Sequence, residues 1–403
     1  MRIVIPTLGT RGDVQPFVAL AQGLTHAGHT VTLVSHPCMR QLVESHHVAF
    51  APMGPDIDLG QEAAIIRARS RPAIVGLVQV MRFAFRILEQ SHADIMARCQ
   101  GADLVVSPSN SAAGKNEADL LNVPSVSVNF MPWSIPVHDP NRPLYKRLIF
   151  SAIDKLIGLI TTRPLNRLRL RQGLPPVGPE GFTSVRLDLV PISPAVFEPN
   201  PHWESHHHVV GYWFVEEPKE WPPPDTLLSF LQNGGPPLLV SLGAMSLGNG
   251  DLVETARLFV DAIQQTGIRA IIQGWEAELH QLTLPATIYA AGPLPHGWVM
   301  PHTRGVVHHG GFGTTAATLR AGIPHLVIAH VADQFYWGQR VHKLGVGLPF
   351  IARPRLNSAR LAAALQALLH DGELHTRASL LGERIRAERG VDKAVRLIEK
   401  TFD

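Results

Sequence analysis

The stretch Val307-His308-His309-Gly310-Gly311-Phe312-Gly313-Thr314-Thr315 decides the fold of the second half of this 403-residue chain. An apolar strand over 305–308 runs into a glycine-rich turn, and a helix is predicted over 314–320, closed by Gly322 and Pro324. A strand, a glycine turn and a helix in this order aim backbone N–H groups and the positive end of a helix dipole at one point. The sequence therefore predicts a diphosphate site here, with His309 as a further donor to a phosphate oxygen.

A polar pair follows the next predicted strand. Asp333 and Gln334 come after an apolar segment over 325–329. A carboxylate and an amide suit the neighbouring hydroxyl groups of a sugar, since between them they accept and donate hydrogen bonds. Diphosphate and sugar contacts side by side predict a nucleotide-sugar site.

Strands alternating with helices recur along the whole chain. Further strands are predicted over 2–6, 30–35, 104–106, 125–128, 237–243, 269–273 and 287–290, with helices between them. This alternation, without hairpin signals, predicts an α/β fold with two parallel, doubly wound sheets. At about 150 residues per domain the length fits two domains. We expect an N-terminal domain over 1–215, a linker over 216–236, a C-terminal domain over 237–390 and a last helix over 391–403, which could pack on either domain or back on the N-terminal one.

Composition excludes several classes of protein. The formal net charge is +3 and no block of Lys or Arg stands out, so nucleic acid is not an expected partner. Cys38 and Cys99 are too few for a disulfide framework or a zinc site and indicate a reducing, cytoplasmic location. The run His206-His207-His208 is expected in a surface linker rather than in a metal site. Neither a signal peptide nor a membrane-spanning run is expected.

The segment 145–171 is basic and amphipathic, with seven Lys or Arg residues and the single acid Asp154. One interpretation is peripheral contact with a membrane surface. The other is a helix that packs its apolar face on its own domain and keeps a solvated basic face. We favour the second interpretation.

A first glycine loop, Gly9-Thr10-Arg11-Gly12-Asp13, follows the strand over 2–6, at the sheet edge where α/β proteins bind ligands. It is not a dinucleotide fingerprint, and Ser35-His36 stand where an acidic residue would close the second strand, so NAD and FAD are not expected. Thr10, Arg11 and Gly12 are predicted to contact a phosphate or the acceptor. Asp13 is either a helix N-cap or a general base, and the helix N-terminus is expected to favour its charged form.

Together these segments resemble the GT-B-fold glycosyltransferases of the sterol glucosyltransferase and glycopeptide-antibiotic glycosyltransferase type, within the UDP-glycosyltransferase superfamily. The resemblance covers nearly the whole chain. It is carried by residues 9–16, 211–214, 241–245, 295–298, 308–315 and 333–338.

The resemblance implies two facing Rossmann-like domains, the N-terminal one holding the acceptor and the C-terminal one the donor. It implies Asp13 as the base that deprotonates the acceptor hydroxyl. The diphosphate would be held by Gly243, His309, Gly311, Phe312, Gly313 and Thr314, the sugar by Asp333 and Gln334, and the nucleobase by the backbone near Leu294. The implied reaction is a single inverting displacement without a metal or other cofactor, in which the helix dipole and His309 stabilise the departing nucleoside diphosphate.

The chain departs from the family pattern at four positions. Phe312 stands where alanine is common, Ala244 replaces a serine and Gly297 replaces an aspartate. Ala317 occupies the position of a ribose-binding glutamate of the plant enzymes. UDP-glucose is the expected donor, and a TDP-sugar remains open because that glutamate is absent.

The favoured hypothesis is transfer of a hexose, glucose above others, to a hydroxyl of a small hydrophobic acceptor such as a sterol, terpenoid, polyketide or glycolipid precursor. His36, His138 or His296 could assist Asp13. A sugar-nucleotide 2-epimerase is the first alternative, and it would need further acid/base carboxylates for which no motif is seen. A non-catalytic sugar-nucleotide-binding protein is the second, and the presence of Asp13 argues against it.

Overall fold

The computed structural model describes residues 1–58, 62, 65–66, 73–109, 111, 113–135, 137, 162–178, 182–215, 221–243, 252–331 and 333–402, with 73–77 described by their backbone alone. The chain divides into two compact units. The first comprises Met1–Leu59, Val78–Val215 and Arg389–Asp403, and the second is built mainly on Glu216–Glu388.

A parallel sheet forms the centre of the first unit. Its seven strands lie in the order β3-β2-β1-β4-β5-β6-β7. They are β1 Arg2–Pro6, β2 Thr30–Ser35, β3 Ala49–Pro52, β4 Leu104–Pro108, β5 Ser125–Val128, β6 Asp188–Val190 and β7 His207–Val209. The helices of this unit are α1 Arg11–His26, α2 Arg40–Glu44, α3 Ala73–Cys99 from Val78 onward, α4 Lys115–Leu121, α5 over 162–171 and, at the end of the chain, α14 Gly390–Phe402.

The second unit contains a six-stranded parallel sheet in the order β10-β9-β8-β11-β12-β13. Its strands are β8 Leu238–Ser241, β9 Ala270–Gln273, β10 Ile288–Ala291, β11 Gly305–His308, β12 His325–Ala329 and β13 Ile351–Ala352. The helices are α6 Asp225–Gln232, α7 Leu252–Thr266, α8 Glu276–Leu279, α9 His296–Val299, α10 Phe312–Ala321, α11 Asp333–Lys343, α12 Ser358–His370 and α13 Gly372–Ala387.

The central strands are buried along their whole length because helices cover both faces of each sheet. All five residues of β4 and all five of β12 are buried. Strands buried on both faces read as continuous apolar runs, which is why these segments lack the alternation of a half-exposed strand. The predicted pair of parallel, doubly wound sheets is confirmed, and the strands predicted over 2–6, 30–35, 125–128, 305–308 and 325–329 have those bounds.

The run of three histidines was wrongly predicted to lie in a surface linker. His207 begins β7, which pairs with β6 at the edge of the first sheet. Its Nδ1 lies 2.8 Å from the buried Asp188 carboxylate, which also accepts a hydrogen bond from Ser127. A buried carboxylate needs such partners, and this pairing is the physical reason why the polar run enters the sheet.

Two other segments differ from expectation. Residues 225–232, predicted within a linker, form α6, and Leu227 is fully buried in the core of the second unit. Residues 216–220 lie outside the described residues. The last helix, α14, packs on α1 within the first unit, where Gly23 leaves room for Val391. Lys393 of this helix donates from Nζ to the Val209 carbonyl at 2.8 Å.

Candidate active site

Each sheet changes direction next to its first strand. In the first unit β1 lies between β2 and β4, and in the second β8 lies between β9 and β11. Open α/β sheets bind ligands at the carboxyl ends of the strands that flank such a switch point. The loop with Asp13 follows β1, Gly243 follows β8 and His309 follows β11. The fold therefore places the predicted residues at the ligand-binding edge of their own sheets.

The ring of His309 lies between two glycines. A Cβ added to Gly243 would lie 3.1 Å from Cε1 of the ring, and one added to Gly311 would overlap Nε2. Gly243 also has φ +55°, a conformation that favours glycine. The two glycines thus create the slot that His309 fills, and they join the loops that follow β8 and β11.

The helix that follows His309 begins two residues earlier than predicted, at Phe312 rather than Thr314. Gly311 is its N-cap, and the first backbone bond back along the helix runs from the Thr315 N–H to the Gly311 carbonyl, 3.0 Å. The N–H groups of the first turn, including those of Gly313 and Thr314, have no acceptor within the helix. Because an anion is favoured at this end of a helix dipole, the first turn of α10 is suited to a diphosphate.

Two buried histidines hold the turn below His309. The Gly310 N–H donates to Nδ1 of His308 at 3.1 Å, so Nε2 of His308 carries the proton and donates to Nδ1 of His325 at 3.0 Å. Burial lowers the pKa of His308 well below its usual value and that of His325 to about 3. Both rings are therefore neutral at physiological pH, as the direction of these hydrogen bonds requires. Nε2 of His325 is buried and has no partner among the described residues.

The helix that carries the predicted sugar ligands packs against the same turn. A Cβ on Gly310, where φ is +86°, would lie 2.7 Å from Val327 Cγ1 and 3.1 Å from the Gln334 carbonyl. The ring of Phe312 meets that of Trp337 edge-on, with 5.8 Å between centroids. The large side chain that replaces the family's alanine thus ties α10 to α11.

Gln334 has a structural task that the sequence did not reveal. Its Oε1 accepts hydrogen bonds from the His330 N–H at 2.8 Å and the Val331 N–H at 3.1 Å, and the residue is 4% exposed. Only its amide N–H groups remain to meet a sugar hydroxyl. Asp333 is the first residue of α11 and is half-buried.

A cavity of about 140 Å³ opens at the carboxyl ends of β8, β9 and β10. It is lined by Ser241, Gly243, Gln273, Gly274, Glu276, Ala291, Gly292 and Pro293. Oε1 of Gln273 is buried and no described residue donates to it. The next residue beyond this lining, Leu294, packs its side chain into the core. The cavity therefore offers hydrogen-bond acceptors for a group that carries donors.

Asp13 is the third residue of α1, whereas the residue at the N-cap is Thr10. Oδ2 of Asp13 accepts from the Thr10 N–H at 2.7 Å and from the Thr10 hydroxyl at 2.9 Å. Oδ1 is not fully buried and accepts no hydrogen bond from the residues that the structure describes. The carboxylate is thus fixed through one oxygen and open at the other.

Burial raises the pKa of Asp13 above its ordinary value, and the two hydrogen bonds from Thr10 lower it only in part. The hydrogen bonds from Thr10 at the helix N-terminus favour the charged form, but removal of water from the carboxyl group outweighs them, so the pKa rises. A raised pKa makes Asp13 a stronger base. Gly9, with φ +148°, lets its backbone lie close to the Asp13 side chain, because a Cβ at position 9 would overlap that side chain.

The other residues of this loop are less enclosed. Arg11 and Gly12 are exposed at the start of α1, and Thr10 is half-buried. His36, a possible assistant of Asp13, is buried with Nδ1 on the Pro55 carbonyl at 3.1 Å, and burial lowers its pKa. His138 lies outside the described residues, and His296 lies 3.4 Å from the Ser241 hydroxyl in the second unit.

Only the last part of the basic segment 145–171 is described, as helix α5. Leu165 is 5% exposed, and the buried Arg169 donates to Asn116 at 2.9 Å and to Asp119 at 2.8 Å. This part packs on its own unit, in line with the favoured interpretation. Residues 145–161 lie outside the described part of the chain.

Several features of the site were missed from sequence. His325 and Gln273 each sit in an apolar strand and read there as ordinary strand residues, so nothing marked them. Gly9 and Gly311 belong to glycine loops, which are visible in sequence, but the side chains that they make room for are not. Among the described residues, no group of three or more His, Cys, Asp or Glu is placed to hold a metal ion. None of the described helices is both long and apolar enough to cross a membrane.

Comparison with known proteins agrees with this architecture. Residues 3–107 match the glycosyltransferase family 28 N-terminal domain, and 261–396 match the erythromycin biosynthesis protein CIII-like, C-terminal domain. The chain is 34% identical over 421 residues to O-mycaminosyltylonolide 6-deoxyallosyltransferase of Streptomyces fradiae, covering 99% of this chain and 97% of that protein.

More distant relatives have the same core. A sterol 3-beta-glucosyltransferase of Cryptococcus neoformans var. neoformans serotype D is 29% identical over 441 residues, which cover all of this chain but only 27% of that protein. The crystal structure of the glycosyltransferase VinC in complex with DTDP superposes with a TM-score of 0.71 at 21% identity, covering 100% of this chain and 99% of that one.

Proposed function

Because the chain belongs to the GT-B-fold glycosyltransferases of the UDP-glycosyltransferase superfamily, and so transfers a sugar from a nucleotide sugar to an acceptor, we propose a specific reaction for it. Glucose passes from UDP-glucose to a hydroxyl of a small hydrophobic acceptor, with inversion at the anomeric carbon. Asp13 is the general base. The observation that carries this proposal is the Asp13 carboxylate, which is fixed at Oδ2 by Thr10 and open at Oδ1.

In the proposed step, Oδ1 of Asp13 takes the proton of the acceptor hydroxyl while that oxygen forms its bond to the anomeric carbon. The bond from the anomeric carbon to the diphosphate oxygen breaks, and UDP leaves. A base with a raised pKa suits this transfer, because its affinity for a proton is closer to what the attacking alcohol requires. A single displacement of this kind inverts the configuration of the anomeric carbon.

The departing diphosphate gains negative charge as the bond breaks. We assign its stabilisation to His309 and to the N–H groups of the first turn of α10, which point at one place without reorganising. The slot between Gly243 and Gly311 fixes the His309 ring, and the neutral pair of His308 and His325 fixes the turn. Asp333 and the amide N–H groups of Gln334 are assigned to hydroxyls of the donor sugar. Leu294 is assigned to the nucleobase through its backbone.

The nucleoside of the donor is proposed to be uridine. The cavity at the ends of β8 to β10 holds Gln273 Oε1 and the Glu276 carboxylate, both acceptors, and a ribose offers one more hydroxyl donor to them than a deoxyribose. This supports a UDP-sugar although Ala317 replaces the family's glutamate. The alternative is a TDP-sugar, since VinC is known in complex with DTDP and the Streptomyces relative is named as a 6-deoxyallosyltransferase.

The acceptor is proposed to be hydrophobic, in line with the sterol and tylonolide acceptors named for the relatives. A cytoplasmic location and peripheral membrane contact through 145–171 remain predictions.

The test is nucleoside-diphosphate release from UDP-glucose, other UDP-sugars and TDP-sugars, with and without a mixed pool of sterol, polyphenol and polyketide acceptors. We expect acceptor-dependent release, a hexose mass gain on the product and UDP-glucose as the best donor. The variant Glu276→Gln should narrow the preference for UDP- over TDP-glucose by about tenfold, the worth of one hydrogen bond to a charged group. An unchanged preference would remove Glu276 from the nucleoside site. Donor binding without transfer would favour the binding-protein alternative, and acceptor-independent epimer formation would favour the epimerase.

A further inference from the structure

A second cavity, of about 480 Å³, lies in the first unit between α3 and α5. Its lining combines two kinds of residue. Five are apolar, Val78, Met81, Phe85, Pro164 and Leu168, and five are arginines, Arg82, Arg86, Arg163, Arg167 and Arg171, with Glu89 as the single acid. We call it the arginine groove. Its volume lies within the range of cavities that hold small organic molecules, roughly 300 to 1,000 Å³.

Most of the positive charges of the groove have no oppositely charged partner among the described residues. Arg171 pairs with Glu89. The other four arginines have no ion-pair or hydrogen-bond partner among the described residues. They come from two helices that are far apart in sequence, and at each helix they stand one turn apart, on one face. All four side chains are exposed. Like charges around one cavity repel each other, and an anion bound among them would relieve that repulsion.

The groove lies at the carboxyl edge of the first sheet, the edge at which Asp13 also lies. Helix α3 has 27 residues, about 40 Å at 1.5 Å per residue, and it ends at Cys99, shortly before β4 begins. The end of α3 thus lies at the amino edge of the sheet. At the carboxyl edge, the Gly54 N–H, just after β3, donates to Asp94 of α3 at 2.8 Å. The residues of α3 before Asp94, including those of the groove, therefore extend beyond the carboxyl edge of the sheet.

Helix α5 also lies at the carboxyl edge of the first sheet. Its Arg169 bonds to Asn116 at the start of α4, which follows the carboxyl end of β4. Asp13 follows the carboxyl end of β1, next to β4. In addition, Phe85 and Leu168 of the groove pack on the same core cluster as Leu8, which precedes the Asp13 loop.

We infer that the arginine groove is an acceptor subsite for an anionic group, so that the acceptor is a hydrophobic hydroxyl compound that carries a carboxylate or phosphate. The apolar residues of the groove contact the hydrophobic body, and the guanidinium groups bind the acid through charge-assisted hydrogen bonds. This inference rests on the proposed function, because it gives the class of the acceptor.

The experiment compares matched acids and esters, measured by calorimetry without donor. The probes are 12-hydroxydodecanoic acid against its methyl ester, and a hydroxylated bile acid against its methyl ester. The groove variant carries Arg82→Gln, Arg86→Gln, Arg163→Gln and Arg167→Gln. The control variant carries Arg257→Gln, Arg355→Gln, Arg384→Gln and Arg396→Gln, four exposed arginines outside the groove lining, and it loses the same net charge.

The wild type should bind at least one acid about tenfold more tightly than its ester, the scale of a charge-assisted hydrogen bond. The groove variant should bind acid and ester equally, and the control variant should keep the preference. Equal binding of acid and ester by the wild type, or loss of the preference in both variants, would overturn the inference.

Two further measurements distinguish an acceptor subsite from a membrane-binding surface and from a general loss of enzyme function. Vesicles of neutral lipid with and without phosphatidylglycerol test a membrane surface: if the groove variant loses vesicle binding but keeps the acid preference, the arginines serve a membrane and the inference is wrong. UDP binding and sugar transfer to a neutral acceptor test the proposed function by themselves. Both are measured on the wild type, where they do not depend on the groove substitutions, so that failure of the subsite and failure of the transferase assignment can be told apart.

Discussion

The loops at the two switch points are built in different ways. The turn around His309 is held by a hydrogen bond to His308, which in turn bonds to His325. Helix α11 packs against Gly310, and Gly243 packs against the His309 ring. Among the described residues, Thr10 alone donates hydrogen bonds to the Asp13 carboxylate, and Gly9 leaves room for that side chain. A site that must stabilise charge in a leaving group benefits from fixed donors, whereas a base must keep one oxygen open. This difference agrees with the proposed division of labour between the two units, in which the second unit binds the donor and the first carries the base.

The largest expected effect comes from Asp13→Asn. An amide of the same shape keeps a carbonyl oxygen for the Thr10 hydrogen bonds but cannot take a proton. Turnover should fall by about 10²- to 10⁴-fold, the range for a lost general base. Acceptor-dependent UDP release measures this, and unchanged turnover would exclude Asp13 as the base.

The second-largest loss of turnover is expected from Gly9→Ala. A Cβ at this position would overlap the Asp13 side chain, so the carboxylate must move, and a displacement of about 1 Å can cost about 10²-fold in rate. The control is Gly28→Ala, which also has a positive φ, +92°, but nothing within 4 Å of the added atom. Equal losses of turnover in the two variants would mean that backbone strain, rather than the position of Asp13, causes the effect.

On the other side of the comparison, Gly311→Ala should displace the His309 ring and weaken UDP binding by about tenfold, or about 1.4 kcal/mol. Gly372→Ala is the matched control, because it also lies at a helix start but has open space around the added Cβ. Calorimetry with UDP measures both variants. A UDP affinity that does not change in Gly311→Ala would remove His309 from the diphosphate site.

The smallest effect concerns stability and pH. Burial lowers the pKa of His325 to about 3 in the folded state, so the unfolded chain, with an ordinary value near 6.5, binds the extra proton first. Stability should therefore be full above about pH 6.5 and fall as the pH decreases towards 3, by about 2 kcal/mol at pH 5 from this residue. Urea unfolding at several pH values measures this, and His325→Gln, which retains an acceptor for His308, should flatten the dependence. A slope that His325→Gln leaves unchanged would assign the loss of stability to other groups.

The fold could be predicted from sequence because strands buried on both faces leave continuous apolar runs. Five strands were placed with the observed bounds. Strands β3, β6, β7 and β13 were not predicted. Of these, His207–Val209 is stabilised by a distant residue, Asp188, and Ile351–Ala352 is only two residues long. Local pattern carries no information on such pairings.

The candidate site divides in the same way. The glycine loops and the polar residues that follow strands are local features, so Asp13, His309 and Asp333 could be singled out. Other features depend on which segments the fold brings together. These are the slot around His309, the hydrogen-bond partner of His308 and the raised pKa of Asp13. The helix end beside Asp13 was visible in sequence, while the burial that outweighs it was not.

The division of labour is tested most directly by one measurement, the UDP dissociation constant of Asp13→Asn beside that of Gly311→Ala. Asp13→Asn should bind UDP within about twofold of the wild type while it loses turnover, whereas Gly311→Ala should bind UDP about tenfold more weakly, a difference of about 1.4 kcal/mol. If Asp13→Asn weakens UDP binding as much as Gly311→Ala does, Asp13 belongs to the donor site and its assignment as the base is contradicted.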